Sequence, residues 1–423
     1  MKVVVVGGGI GGLGLAQSLH RSGVDVEVHE RDAAVGGRWE GYRIHVNPTG
    51  ARALHACLPA RAWREFRETA GPGGDFGFLT EQLDELVVVE ESIMYPAGPS
   101  DPAEDHYAAD RAVLRRLLAD GLDDVVRYGA EFVDYDLLPD GRVRARFADG
   151  RTTDADLLVG ADGVRSRVRR RLLPTVRPRP TGATGIANKI WLTDEVRAAL
   201  PARLRTGMNV VSTDAPFFLF TSVFEPPRGA GRPYLLCALV ARTDALPPDL
   251  ADLDADALRI MVDVLVAGWH PALRRALAEA DPHSRTATAF HSTLPPAPWP
   301  AGPVTVLGDA IHAMPPIGGL GGNTALRDAH LLGRLLPAVH RGERDLLPAV
   351  AEYEAEMREY GPAAVRYSLE QQDQALAAGA AGAAVTRAFF RLCGAVPPLR
   401  RRVFAKSWIG PAMPREWELR PAA

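Results

Sequence analysis

Cysteine is scarce in this 423-residue chain: Cys57, Cys237 and Cys393 stand far apart, odd in number, with no C-x-x-C among them. Neither a disulfide framework nor a cysteine-held zinc is expected. Lysine is scarcer than usual, present only at Lys2, Lys189 and Lys406. With abundant Arg, Ala, Gly and Pro around it, this reads as GC-rich coding. The net charge of −3 provides no basic excess of the kind a general nucleic-acid binder needs. No apolar run reaches membrane-spanning length, and the opening MKVVVVGGG is too short and too glycine-interrupted for a signal peptide. The expectation is a cytoplasmic protein, monomer or homodimer, with no nucleic-acid partner and no stable membrane association. H-E-x-x-H, G-x-S-x-G and G-x-x-x-x-G-K are all missing as well. Metal hydrolysis, a nucleophile elbow and a P-loop drop out, and no metal site is expected.

Glycine, in contrast, is plentiful, and its first cluster is ordered. Residues 3–6 are four consecutive valines, the pattern of a strand buried on both faces. Gly7, Gly9 and Gly12 follow in G-x-G-x-x-G spacing, with Gly11 inside it. The first permits a tight turn, the second lets backbone approach a pyrophosphate, and the third lets helix lie close to strand. A helix closing at Gly23 and a strand over residues 24–29 come next, with Glu30 at that strand's end. A carboxylate there accepts hydrogen bonds from ribose hydroxyls, and a helix N-terminus favours the pyrophosphate. All five features in register predict dinucleotide binding.

The length suggests two domains, interleaved. Arg38 and Arg43 follow the strand that ends at Glu30, each either a phosphate contact or a solvated arginine. A helix is expected over 49–58, an extended stretch over 83–95 and an amphipathic helix over 111–119. From 130 to 160 the pattern has period two, with Asp-Gly at 140–141 and 149–150. That predicts three antiparallel strands joined by two hairpins, with Arg142, Arg144 and Arg146 on a solvated face. Residues 156–169 then run from a buried strand into Asp162-Gly163, where Asp162 can satisfy turn N–H groups.

Between about 174 and 292 the character changes, with strands at 185–192, 208–212, 217–224 and 234–241 and a helix at 256–267. This reads as an inserted antiparallel sheet with room for an apolar ligand. Asn188, Phe220 and Ser222 are the candidates for its ligand-facing side; the alternative is a dry core. The chain then returns with a strand at 304–307, Asp309, glycines at 318, 319, 321 and 322, and a helix over 324–336. His312 is either a hydrogen-bonded structural residue or an acid–base group. Mostly helical sequence closes the chain.

Three motifs now stand in order: Gly7-x-Gly9-x-x-Gly12 with Glu30-Arg31, V-G-A-D-G-V-R-S-x-x-R over 159–169, and G-D-A-x-H-x-x-x-P-x-x-G-x-G-x-N over 308–323. Together they resemble the class A flavoprotein monooxygenases, the FAD-dependent aromatic hydroxylases typified by p-hydroxybenzoate and salicylate hydroxylases. Residues 176–285 match only in position and strand content.

The resemblance implies an α/β fold. A Rossmann-like FAD-binding domain (1–75, 106–175 and 286–370) would interleave with an antiparallel-sheet substrate domain (76–105 and 176–285), and 371–423 would be a helical tail. The inserted sheet would cover the flavin ring. The resemblance also implies roles: Gly7–Gly12 at the pyrophosphate of FAD, Glu30 at the adenosine ribose with Arg31 beside it, and Arg111 at the phosphates. Asp162 and Gly163 would serve FAD and NAD(P)H, and Asp309 the ribityl chain. Pro316, Gly319, Gly321, Gly322 and Asn323 would lie beside the isoalloxazine, with Arg43 and His45 as pocket residues.

No catalytic side chain would be required beyond the flavin, with Arg43, His45 and Pro316 as candidates. The implied reaction consumes NAD(P)H and O2 and oxygenates an aromatic or polyketide-like molecule, as in secondary metabolism, through a flavin C4a-hydroperoxide. Hydroxylation, epoxidation and Baeyer–Villiger oxidation all fit this frame. The rivals are an FAD-linked dehydrogenase or reductase, a halogenase-like enzyme (although W-x-W-x-I-P is absent) and a non-catalytic flavin protein.

Overall fold

A computed structural model of the chain describes residues 1–34, 42–94, 101–294, 297–377 and 379–405; Arg38 and Lys406 lie outside them. The chain divides into two compact units. The first comprises Met1–Thr69, Ser100–Arg179 and His291–Ser368, and the second Ala70–Pro99, Pro180–Phe290 and Leu369–Ala423.

The first unit is built on a five-stranded parallel sheet, in the order Val304–Val306, Leu157–Gly160, Lys2–Val6, Asp25–His29, Val126–Arg127. Val3, Val4 and Val5 are wholly buried, as a central parallel strand requires. The helix Ile10–Arg21 rises directly from Lys2–Val6. Its closeness depends on glycine: a Cβ on Gly12 would lie 2.1 Å from the Gly7 carbonyl oxygen, and one on Gly7 (φ +108°) 2.4 Å from that of Ala161. Beside this sheet, Phe132–Leu137, Val143–Phe147 and Thr152–Ala155 form the antiparallel ladder that the Asp-Gly turns announce. Arg144 pairs with Asp154, and Arg146 with Asp134 and Asp136, all on a solvated face.

The second unit carries a seven-stranded sheet in the order Thr286–Ser292, Arg179–Trp191, Tyr234–Arg242, Phe217–Phe224, Met208–Ser212, Phe76–Thr80, Glu85–Val89. Pairings from Arg179–Trp191 to Met208–Ser212 are antiparallel, but Met208–Ser212 runs parallel to Phe76–Thr80. Ile186, Ile190, Val211, Leu219 and Leu239 share one core with Leu258, Val262, Leu273 and Leu277. Those last four belong to the helices Ala255–Leu265 and Pro271–Ala278. Phe76, Val87, Val89 and Met208 share another core with Cys393 and Phe404.

Two expectations change here. The extended stretch at 83–95 is a strand only over Glu85–Val89, and a short helix, Glu91–Met94, follows it. The segment after 371 is not a separate tail: the helix Ala380–Ala395 lies on the strand Glu85–Val89, where a Cβ on Gly394 would come 2.6 Å from the Leu86 oxygen. Its Phe390 and Cys393 join the apolar core of that sheet.

Gly12→Ala is expected to destabilise the protein by about 3 kcal/mol, since overpacking against backbone cannot relax by side-chain rotation. Urea unfolding measures this, and a loss below the experimental error would contradict the close approach.

Candidate functional site

Glu30, 7% exposed, has its carboxylate fixed at the tip of the first two strands. Oε2 accepts from the Gly8 N–H at 2.7 Å and Oε1 from the Asp32 N–H at 2.9 Å. The Arg115 guanidinium lies 3.5 Å away and donates through Nε to the Gly8 carbonyl at 2.8 Å. Sequence reading missed Arg115; its signal was its place one turn after Arg111 on the same helix. Arg31 is exposed and joins none of these groups. Around the glycine turn, a Cβ on Gly9 would meet nothing within 4 Å, so open space faces the helix N-terminus.

Asp162 receives the first N–H groups of the short helix Arg167–Leu172, whose N-cap is Ser166. Its Oδ2 accepts from the Arg167 N–H at 2.6 Å and the Val168 N–H at 3.3 Å, and Oδ1 accepts from the Ser166 hydroxyl. Burial pushes its carboxyl up, against these donors. Gly163 sits at φ +74° facing open space.

Asp309, Arg111 and the glycine loop come together. Asp309 is reached by solvent yet densely surrounded, as in a crevice wall. Its crowded setting pushes the carboxyl up, while the charges of His312 and Arg111 pull it down. Its Oδ1 lies 3.8 Å from where a Gly321 Cβ would stand. Gly321 and Gly322 are not loop, as expected, but the first turn of the helix Gly321–His340, whose leading N–H groups lack intrahelical partners. Arg111 opens the helix Arg111–Ala119, capped by Asp110 through the N–H groups of Ala112 and Val113.

Asn323, 2% exposed, ties this loop to the strand Arg43–Val46. Its Nδ2 donates to the carbonyls of His45 and Gly319, both at 2.8 Å, and its Oδ1 accepts from the Asn47 N–H at 3.0 Å. Gly319 (φ +65°) therefore stands beside His45, and Pro316 is exposed nearby in the same loop. Burial first, then the charges of Arg43 and His106, hold His45 well below the ordinary imidazole range, so its ring is neutral. Arg43 is buried.

His312 takes the structural alternative. Wholly buried, its Nε2 lies 2.7 Å from Asp328 Oδ2, which also accepts from the Gly308 N–H at 2.7 Å; Tyr360 donates to Oδ1. Burial opposes its charge, but Asp328 outweighs it and raises the imidazole above its usual value. Asp328 was also missed. Its signal was an acid on the apolar stripe of Ala325, Ala329 and Leu332.

The substrate candidates do not share a face. Asn188 stands opposite Cys237, which stands opposite Thr221, so Asn188 belongs with Ile186 and Ile190 beneath the helices. Phe220 and Ser222 belong to the other face, with Phe76 and Met208. The alternation within each strand was right, but register between strands is a property of the fold, and it pairs even positions of one strand with odd ones of another. Asn188 Oδ1 and Ser222 Oγ are buried without partners, and Phe220 lies partly against the Phe76 ring at 6.4 Å.

Comparison with known proteins bears on these groups. An FAD binding domain family matches residues 137–368, and an NAD(P)-binding Rossmann-like domain family matches residues 5–69. The chain belongs to the class A flavoprotein monooxygenases. It is 31% identical over 369 residues to the FAD-dependent urate hydroxylase of Klebsiella pneumoniae, covering 84% of this chain and 85% of that one. Identity is also 31% with the dual O-methyltransferase/FAD-dependent monooxygenase elcB of Phaeosphaeria nodorum, over 85% of this chain. This chain spans only 44% of that relative's length, less than half. A solved protein of Photorhabdus luminescens subsp. laumondii TTO1, assigned as an FAD containing monooxygenase, superposes with a TM-score of 0.80 at 33% identity, over 89% of this chain and 99% of its own.

FAD binding is thus a property of the family, and this chain's residues suit the group: an open glycine cradle, a fixed carboxylate, and a recessed Asp309 beside a helix N-terminus. Among the described residues no single helix is long and apolar enough to cross a membrane, and no cluster of three His, Cys, Asp or Glu side chains could hold a metal.

Asp328→Asn would leave His312 and Tyr360 around a neutral group. Unpairing a buried charge costs on the order of 3 kcal/mol, so the denaturation midpoint of the FAD-loaded protein is expected to fall accordingly. An unchanged midpoint would show that the pair contributes nothing to stability.

Proposed function

We propose that this chain is an FAD-dependent, NAD(P)H-consuming monooxygenase that inserts one oxygen atom of O2 into an aromatic or polyketide-like small molecule. The carrying observation is the meeting of Asp309, Arg111, Gly321 and the Asn323–His45 tie at one helix N-terminus. FAD, when bound, supplies the chemistry: it accepts hydride from NAD(P)H and activates O2. The urate hydroxylase, named for a small heteroaromatic substrate, supports the substrate class.

The chain's own residues bind, orient and exclude water. Gly7, Gly9, Gly11 and Gly12 cradle the pyrophosphate, with Glu30 on the ribose and Arg111 on the phosphates. Asp162 keeps Gly163 in its turn, holding that backbone open to the dinucleotides. Asp309 accepts from ribityl hydroxyls. The N–H groups of Gly321 and Gly322, at a helix N-terminus, would stabilise negative charge on a flavin ring held beside them. Asn323 holds Gly319 and His45 in place without touching the chemistry. Neutral His45 can donate or accept one hydrogen bond, and Pro316 presents an apolar edge. On the sheet, Phe220 and Ser222 contact the substrate, whereas Asn188 turns into the other core.

Two measurements test this reading. Glu30→Ala removes a carboxylate acceptor whose charge-assisted bonds are worth about 1.5–3 kcal/mol, so FAD affinity in a titration is expected to fall by about one to two powers of ten. Unchanged affinity would take Glu30 out of the site. Separately, NAD(P)H-driven oxygen uptake is expected to rise with aromatic ligands, and Phe220→Ala and Ser222→Ala are expected to alter that stimulation at normal FAD content. Turnover with an artificial acceptor but no oxygen uptake would favour a dehydrogenase instead.

A further inference from the structure

The last two described helices, Ala380–Ala395 and Pro397–Phe404, bury only part of their apolar surface. One side of the first joins the sheet core through Cys393 and Phe390. The opposite side carries Val385, Phe389, Leu392 and Val396, which are 71%, 42%, 52% and 38% exposed. Steps of four, three and four residues put all of them on a single stripe. Large aliphatic and aromatic side chains in one exposed row mark a surface that meets something apolar.

Charge narrows what that is. Residues 374–405 contain five arginines and no acidic residue. Arg387 and Arg400 are held by Glu81 and Glu90, both at 2.7 Å. Arg391, Arg401 and Arg402 are exposed and form no ion pair among the described residues. An anionic lipid surface offers an apolar boundary and negative charge side by side, the combination that interfacial helices use.

We propose that the stripe Val385–Phe389–Leu392–Val396, in a segment that also carries the exposed Arg391, Arg401 and Arg402, docks this protein reversibly on anionic membranes, with its helix lying in the interface and not crossing it. The apolar row enters the boundary between headgroups and acyl chains, and the arginines engage lipid phosphates.

Flotation of the FAD-loaded protein with phosphatidylcholine vesicles, with and without phosphatidylglycerol, tests this. Binding is expected only with phosphatidylglycerol, and roughly tenfold weaker at high salt because the arginine contribution is screened. Phe389→Ser with Leu392→Ser is expected to abolish it, and Arg401→Gln with Arg402→Gln to remove the lipid preference, each with unchanged FAD content and melting temperature. Absence of binding, equal binding to neutral vesicles, or binding unaffected by either pair would overturn the proposal. So would a concentration-dependent dimer in light scattering that the Phe389/Leu392 pair converts to monomer, since the stripe would then belong to a second copy.

Discussion

Between the first strand and the helix that follows it there is no space for a side chain. A Cβ on Gly12 would press on the Gly7 carbonyl, and one on Gly7 on that of Ala161. Three backbones from two distant parts of the chain thus meet without intervening atoms. Close contact of this kind aims the helix N-terminus at the tips of the strands, where Glu30 and Asp162 also stand. Everything proposed for dinucleotide binding depends on that aim, because backbone N–H groups cannot be redirected as side chains can.

Around this contact, buried polar groups act as latches. Asn323 uses both ends of its amide to join the loop before the helix Gly321–His340 to the strand Arg43–Val46. Asp328 holds Gly308, His312 and Tyr360 at once. Such groups are costly when half satisfied and specific when complete. Between them they locate Asp309 from two sides, one through its neighbour Gly308 and the other through the helix start.

The glycine motif, Glu30 and the Asp-Gly hairpins were legible in the sequence because each rests on a local rule of backbone geometry. Arg111–Ala119, Met208–Ser212 and Phe217–Phe224 were legible as elements from periodicity. What was not legible needed partners distant in the chain. Asn188 and Phe220 obey the same alternation, and only the pairing across Tyr234–Arg242 sends them to opposite faces. Arg115 and Asp328 looked like ordinary helix charges until their acceptors and donors arrived from residues 8 and 308. The final helices read as a tail because nothing in residues 371–405 names the strand Glu85–Val89 as their support.

The parallel sheet is also assembled out of chain order. Its centre is made by residues 2–6 and 157–160, but its far edge is residues 304–306. The helix Ile10–Arg21 waits longer still: Gly11 and Gly14 pack on Ala325 and Ala329, and Ser18 on Gly333. During synthesis at about 5–20 residues per second, that apolar face stays bare for roughly 15–60 s after it leaves the ribosome. The seven-stranded sheet has all but one of its strands by residue 242, yet one of its two cores waits for Cys393 and Phe404. A nascent chain of this design spends much of its synthesis with the Leu157–Gly160 edge of the parallel sheet unpaired, because its partner strand is Val304–Val306.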